Sequence, residues 1–205
     1  MDKYPDFASL QRHESDYSIE CCDRGAPVTI LAPHGGAIEP HTAEIARAVA
    51  GTDHNYFLFI GRKPQRNRDL HITSHRWDEP QSVALVARST VVVTVHGTAT
   101  AEPVVVLGGR DIQLRELIAA QLTEHHLLCR PGTSRNSGLH PANICNRGRT
   151  AQGVQLEIAR TLRDSPDCWQ QLAAAVRAAI SRHITQAHDL STCGATPGDQ
   201  TFSRF

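Results

Sequence analysis

The sequence predicts a layered α/β domain, because short apolar, β-branched runs alternate with stretches of helical periodicity. Two of the runs end alike: Val28–Pro33 stops on His34-Gly35-Gly36, and Val91–Val95 stops on His96-Gly97. In open α/β sheets, ligands collect beyond the carboxyl ends of such strands, so both imidazoles belong to one functional rim. The 205 residues suffice for one full core. Residues 1–190 are read as a single domain and 191–205 as a flexible tail.

Residues 1 to about 27 are mixed and polar, the composition of a cap packed against the sheet. A strand over 28–33 leads into the turn His34–Glu39. A helix follows from Pro40 to Ala50, since proline suits a first helical position and Gly51 supplies a stop. Tyr56–Ile60 is a strand, 61–68 a basic loop, and the alternation of Leu70–Ser74 predicts a further short strand. A brief helix around 80–88 precedes the strand 90–95, and Val104–Leu107 runs into Gly108-Gly109. Asp111 opens a helix to about Glu124 with Leu114, Leu117, Ile118 and Leu122 on its core face. Residues 130–150, rich in Gly, Pro, Asn and Arg, form a long loop of functional character. Gly153–Ile158 is the last strand, and an amphipathic helix runs from Pro166 to about His188.

The spacing of polar residues suggests metal chemistry. His34 and Glu39 lie five apart across a Gly-Gly turn, which allows both side chains to point back at one spot above the sheet edge. His96 arrives at the equivalent end of another strand. Two imidazoles and a carboxylate are the ligand set of one catalytic Zn2+ ion that keeps an open position. Any single one of the 12 histidines reads more simply as a capping or core residue; the coincidence of all three groups carries the argument. Glu157 sits within the apolar run Val154–Ile158, where an unpartnered carboxylate is costly, so it is the candidate general base. Arg147 and Arg163 are candidates to pair with a substrate carboxylate, although a solvated surface role is the commoner explanation for any one arginine. His71 and His75 suit outer positions around the site rather than ligation, and His71 is placed among the substrate-contacting groups.

Composition limits the alternatives. Lys+Arg and Asp+Glu are each 21, a formal net charge of zero, and aromatics are only 5%. That balance argues against a nucleic-acid partner, and no stretch approaches a membrane span. The N-terminal residues carry no apolar signal region, so synthesis in the cytoplasm is expected, with release on lysis if the protein acts outside a cell. Six cysteines without metal or redox spacing read as mostly free thiols.

Pro33–Pro40, with Thr42, Ile45 and Ala46 after it, resembles the opening motif of the poly-γ-glutamate hydrolase family, zinc enzymes of bacilli and their phages. Leu70–Ser74, His96-Gly97, Gly108–Asp111, Asn143–Arg147 and Gly153–Glu157 are similar in the same order, over about residues 15–165. The resemblance implies a zinc-carboxypeptidase-like three-layer α/β/α fold around a mixed sheet. It places two His ligands and one Glu ligand on His34, Glu39 and His96, and the base on Glu157. Asn146-Arg147 looks like the Asn-Arg pair with which zinc carboxypeptidases hold a substrate carboxylate. The implied activity is zinc-dependent hydrolysis of γ-glutamyl amide bonds in anionic poly-γ-glutamate; separately, a monomer is expected. The competing readings are a zinc amidohydrolase or deacylase for a small N-acyl amino acid, and a non-catalytic phage protein binding metal or an anionic polymer. His41 departs from the family pattern, where a small residue is expected, and puts an extra ligand or an altered entrance in play.

Overall fold

The computed structural model describes residues 2–134 and 136–193. The chain runs α1 (Phe7–His13), β1 (Tyr17–Cys22), β2 (Val28–Gly36), α2 (Thr42–Ala50), β3 (Asn55–Gly61) and α3 (Pro80–Ala87). It continues through β4 (Val91–Thr98), β5 (Val104–Gly109), α4 (Ile112–Glu124), β6 (Leu128–Pro131), β7 (Val154–Ala159), α5 (Arg160–Arg163) and α6 (Pro166–Cys193). The strands form one seven-stranded sheet in the order β1-β3-β2-β4-β7-β5-β6. Strands β3, β2, β4 and β7 are parallel, β1 and β5 pair antiparallel to β3 and β7, and β6 runs parallel to β5. The mixed α/β/α sheet architecture is therefore as the sequence predicts.

The continuous apolar runs are explained by burial on both faces. Ile30, Leu58, Val93 and Leu156 pack under the layer of α2, α4 and α6. Leu31, Phe57, Phe59 and Val92 point the other way, into a cluster with Trp77, Phe7 and Leu10 beneath α1 and α3. This second layer is thinner and is completed by irregular chain, including the 3-10 turn Ile144–Asn146. On β4 and β7, alternation puts His96, Gln155 and Glu157 on the thinner side. The functional groups therefore face the layer that irregular chain can shape.

Several elements differ from expectation. The cap contains α1 and the edge strand β1, whose residues are at most half-buried and carry no clean apolar signature. Helix α2 begins at Thr42, not Pro40, because His41 before it has left-handed backbone, φ 72°. Leu70–Ser74 is not a strand: Leu70 ends a 3-10 turn, and Leu70 and Ile72 are fully buried from irregular chain. Their alternation reflects core packing without a partner strand. The long loop starts inside β6. Ser191–Cys193 close α6, and the rest of the expected tail, 194–205, lies outside the described residues. Among the described residues, Cys21, Cys22, Cys129, Cys145 and Cys168 are free thiols, and no helix is long and apolar enough to cross a membrane.

Gly36 ends β2 with φ 64°, and a Cβ there would stand 2.5 Å from the Gly61 carbonyl oxygen of β3. Gly36→Ala is expected to cost roughly 1–3 kcal/mol, read as a lowered urea midpoint. An unchanged midpoint would contradict this packing.

Candidate metal and hydrolytic site

The site begins where two strands part. β2 and β4 pair from Val28↔Val91 to Leu31↔Thr94 and no further, while β4 stays paired with β7 and sets His96 opposite Glu157. β2 shifts register between Ala32 and Gly35, which carries His34 over the gap. The backbone then reverses: the Glu39 amide donates to the His34 carbonyl at 2.9 Å, and the Thr42 hydroxyl donates to the Glu39 carbonyl at 2.8 Å. This turn aims the Glu39 side chain back at the ends of both strands.

Three donor groups converge there, all buried. His34 Nδ1 lies 3.1 Å from His96 Nδ1. Glu39 Oε1 is 3.3 Å from His34 Nδ1 and Oε2 is 3.8 Å from His96 Nδ1. The Gly97 amide donates to Glu39 Oε2 at 2.8 Å. His34 Nε2 faces the Ile72 carbonyl at 2.9 Å; a carbonyl only accepts, so Nε2 carries a proton and Nδ1 is the nitrogen turned inward. Ser74 Oγ lies 3.3 Å from His96 Nε2, which leaves His96 Nδ1 turned inward as well. Two imidazole nitrogens facing each other beside a carboxylate require a cation or a proton between them. The donor set therefore fits a divalent ion of zinc type.

His71 is a third imidazole near these groups. Its donor atoms also come within 4.8 Å of those of His34 and Glu39, but its ring stacks on His34 with centroids 4.0 Å apart and planes 29° from parallel. In-plane lone pairs of stacked rings run side by side and converge poorly on one ion. His96, at 60° to His34, meets that requirement better. His71 Nδ1 donates to Asp2 Oδ1 at 2.7 Å, and Thr73 donates to Asp2 Oδ2 through its amide and its hydroxyl, at 2.8 and 2.7 Å. Asp2 so held titrates at about 2: burial raises it, but these donors and the His71 imidazole outweigh burial.

Electrostatics separate the two carboxylates. Burial raises Glu39, yet the His34 charge and hydrogen bond, His96 and the Gly97 amide bring it down to about 2. Glu157 is pushed up to about 8, first by burial and then by the Glu39 charge, with His34, Gln155 and Arg163 opposing. Burial pulls His34 down, but Glu39 reverses the shift and raises it. His96 falls to about 3 through burial and the neighbouring His34, and His71 falls to about 4 for the same two reasons. One carboxylate held charged beside another that exchanges its proton near neutrality is a ligand-and-base arrangement.

Sequence reasoning missed the groups that hold Glu157. Gln155 Nε2 donates to Glu157 Oε1 at 2.9 Å, and Asn143 Nδ2 donates to Gln155 Oε1 at 2.7 Å. The readable signal was Gln155 itself, a second polar residue on the Glu157 face of an otherwise apolar strand. His34, Glu39, His71, His96 and Glu157 all line one cavity of about 420 Å³. Asn146, Arg147 and Arg163 do not line it. Asn146 donates to the Gly138 and His140 carbonyls, Arg147 to the Trp77 carbonyl, and Arg163 to the Ile158 and Pro40 carbonyls. His41 lies outside the cavity too, 3.5 Å from Asp164, with both side chains exposed.

The raised Glu157 has a consequence for stability. In chelator, the folded chain binds the Glu157 proton more tightly than the unfolded chain, so folding weakens as pH climbs from about 4.5 to about 8. Across that window Glu157→Gln is expected to gain a few kcal/mol on the wild type, measured by urea unfolding of metal-free protein. Parallel pH profiles for the two proteins would rule out the buried, proton-holding carboxyl.

The fold has counterparts among solved structures, and the sequence has relatives. Residues 3–185 match the family model described as poly-gamma-glutamate hydrolase. The SPbeta prophage-derived protein YoqZ of Bacillus subtilis (strain 168) is 35% identical over 162 residues, covering 77% of this chain and 59% of YoqZ, so the chain spans less than two thirds of that relative. A bacteriophage poly-gamma-glutamate hydrolase superposes with a TM-score of 0.85 at 28% identity, over 91% of this chain and 100% of its own. The zinc-free form of YndL superposes at 0.82 with 25% identity, over 92% and 100%. The chain belongs to the poly-γ-glutamate hydrolase family.

Proposed function

We propose that the protein is a zinc-dependent hydrolase that cleaves γ-glutamyl amide bonds of poly-γ-glutamate. The observation that carries the reading is the convergence of His34, Glu39 and His96 donors beside Glu157 in one cavity. Family membership and the likeness to a phage poly-gamma-glutamate hydrolase and to zinc-free YndL support the substrate and the metal. All four groups come from one chain, which supports action as a monomer. Kinship with prophage and bacteriophage proteins supports synthesis in the cytoplasm and release on lysis.

In this reading His34, His96 and Glu39 would hold one Zn2+. When bound, the ion would supply Lewis acidity, polarising the amide carbonyl and making water easier to deprotonate. The rest falls to the chain. Gln155 fixes Glu157 Oε1, which leaves Oε2 to take the proton of the attacking water. Glu157 then delivers that proton to the departing amine as the amide C–N bond breaks, yielding a carboxylate and a free amino group. A carboxylate within reach of both the water and the leaving nitrogen can do both in turn. The Ile72 carbonyl and Ser74 keep the two imidazoles in their tautomers, and Asp2 keeps the His71 ring flat against His34.

Zinc-loaded protein is expected to lower the viscosity of poly-γ-glutamate, to lose that activity in chelator and to regain it with added zinc. Glu157→Gln is expected to lower kcat by about 10²–10⁴ with its zinc content unchanged by metal analysis. Undiminished cleavage by fully metal-free protein would overturn the mechanism.

A further inference from the structure

If the substrate is poly-γ-glutamate, as proposed above, each repeat brings a free α-carboxylate next to the scissile amide, and something in the cavity has to receive it. No lysine or arginine among the described residues lines that cavity. Arg147 and Arg163 spend donors on buried main-chain carbonyls, and the guanidinium of Arg163 is packed so close to Gly97 that a Cβ there would stand 2.6 Å from it. Both amide hydrogens of Asn146 are also engaged, at 2.7 and 3.0 Å from the Gly138 and His140 carbonyls. Asn146 braces the lining residues Gly138 and His140 from behind, and the Arg147, Arg163 and Asn146 side chains all leave the carboxylate to other groups.

The cavity wall offers a pair of imidazoles. His75, directly after Ser74, and His140, in the loop that Asn146 anchors, face each other with ring centroids 5.1 Å apart and planes 39° from parallel. Both line the cavity and both are exposed. His140 Nδ1 accepts from the Ala142 amide at 3.1 Å, so its proton resides on Nε2, a donor free for a ligand. No hydrogen bond within the protein engages the His75 ring among the described residues. The two oxygens of a carboxylate, each accepting at about 2.8 Å, can bridge two rings at this spacing.

We propose that His75 and His140 form a carboxylate-binding subsite that takes the α-carboxylate of the γ-glutamyl unit at the scissile bond. The pair selects acidic γ-linked chains over neutral amides of the same length. It requires no buried charge, since both rings are hydrated before the substrate arrives. The anchoring of His140 by Asn146 makes Asn146 a positioning residue for this subsite.

The test compares zinc-loaded full-length protein on two γ-glutamyl oligomers, one with free α-carboxylates and one with those groups converted to carboxamides. His75→Ala/His140→Ala is expected to raise KM for the acidic oligomer about tenfold, with a much smaller change in kcat, as loss of charge-assisted hydrogen bonds requires. The wild type should show the same high KM on the carboxamide oligomer, and the double substitution should not raise it further. His140→Gln, which keeps an N–H donor at that position, should restore part of the affinity lost in His140→Ala. An unchanged KM on the acidic oligomer overturns the subsite, as does an equal rise on both oligomers. If the wild type cleaves neither oligomer, the proposed function falls, and the subsite falls with it.

Discussion

Glu39 joins two strands that have stopped pairing with each other. Its carboxylate accepts the Gly97 amide at the end of β4 and stands within salt-bridge distance of His34 on β2 and His96 on β4. Without it, the gap opened beyond Leu31 and Thr94 would hold two buried imidazoles and no counter-charge. A buried carboxylate is tolerated only when paired and hydrogen-bonded, and Glu39 meets both conditions. Its charge is also among the causes that raise Glu157 and His34. The site's electrostatics are thus largely organised by one side chain at a turn.

The central part of this arrangement was legible in the sequence because it depends on local signals. Strands buried on both faces appear as unbroken β-branched runs, and the His-Gly endings mark where they stop. The edges were less legible. β1 is half-buried, and β6 is four residues long with an exposed Leu128, so neither has an apolar pattern to read. Leu70 and Ile72 imitated a strand because irregular chain also alternates when it drops every second side chain into a core.

The site divides along the same line. His34 and His96 were legible at strand ends, Glu39 in the turn after one of them and Glu157 as a carboxylate inside an apolar run, and the structure places their side chains around one cavity. Asp2 and Asn143 were not, since their importance lies in hydrogen bonds to residues 69 and 12 positions away, which no local pattern encodes. The Asn146-Arg147 motif was readable as a motif, but its side chains turn toward backbone carbonyls. A short sequence pattern can persist because it shapes a wall as readily as because it touches a ligand.

The Asp2 contact also bears on how the cavity is assembled. The carboxylate that orients His71 belongs to the N-terminal segment that leads into α1, and α1 packs through Phe7 and Leu10 on the Trp77 cluster. Bringing it to His71 closes a loop of nearly seventy residues, about as long as the loops closed when β2 pairs with β4 and β4 with β7. Docking of the N-terminal segment and alignment of the His71 ring are therefore linked through Asp2, and local fraying of α1 would be felt as a loosened imidazole in the cavity.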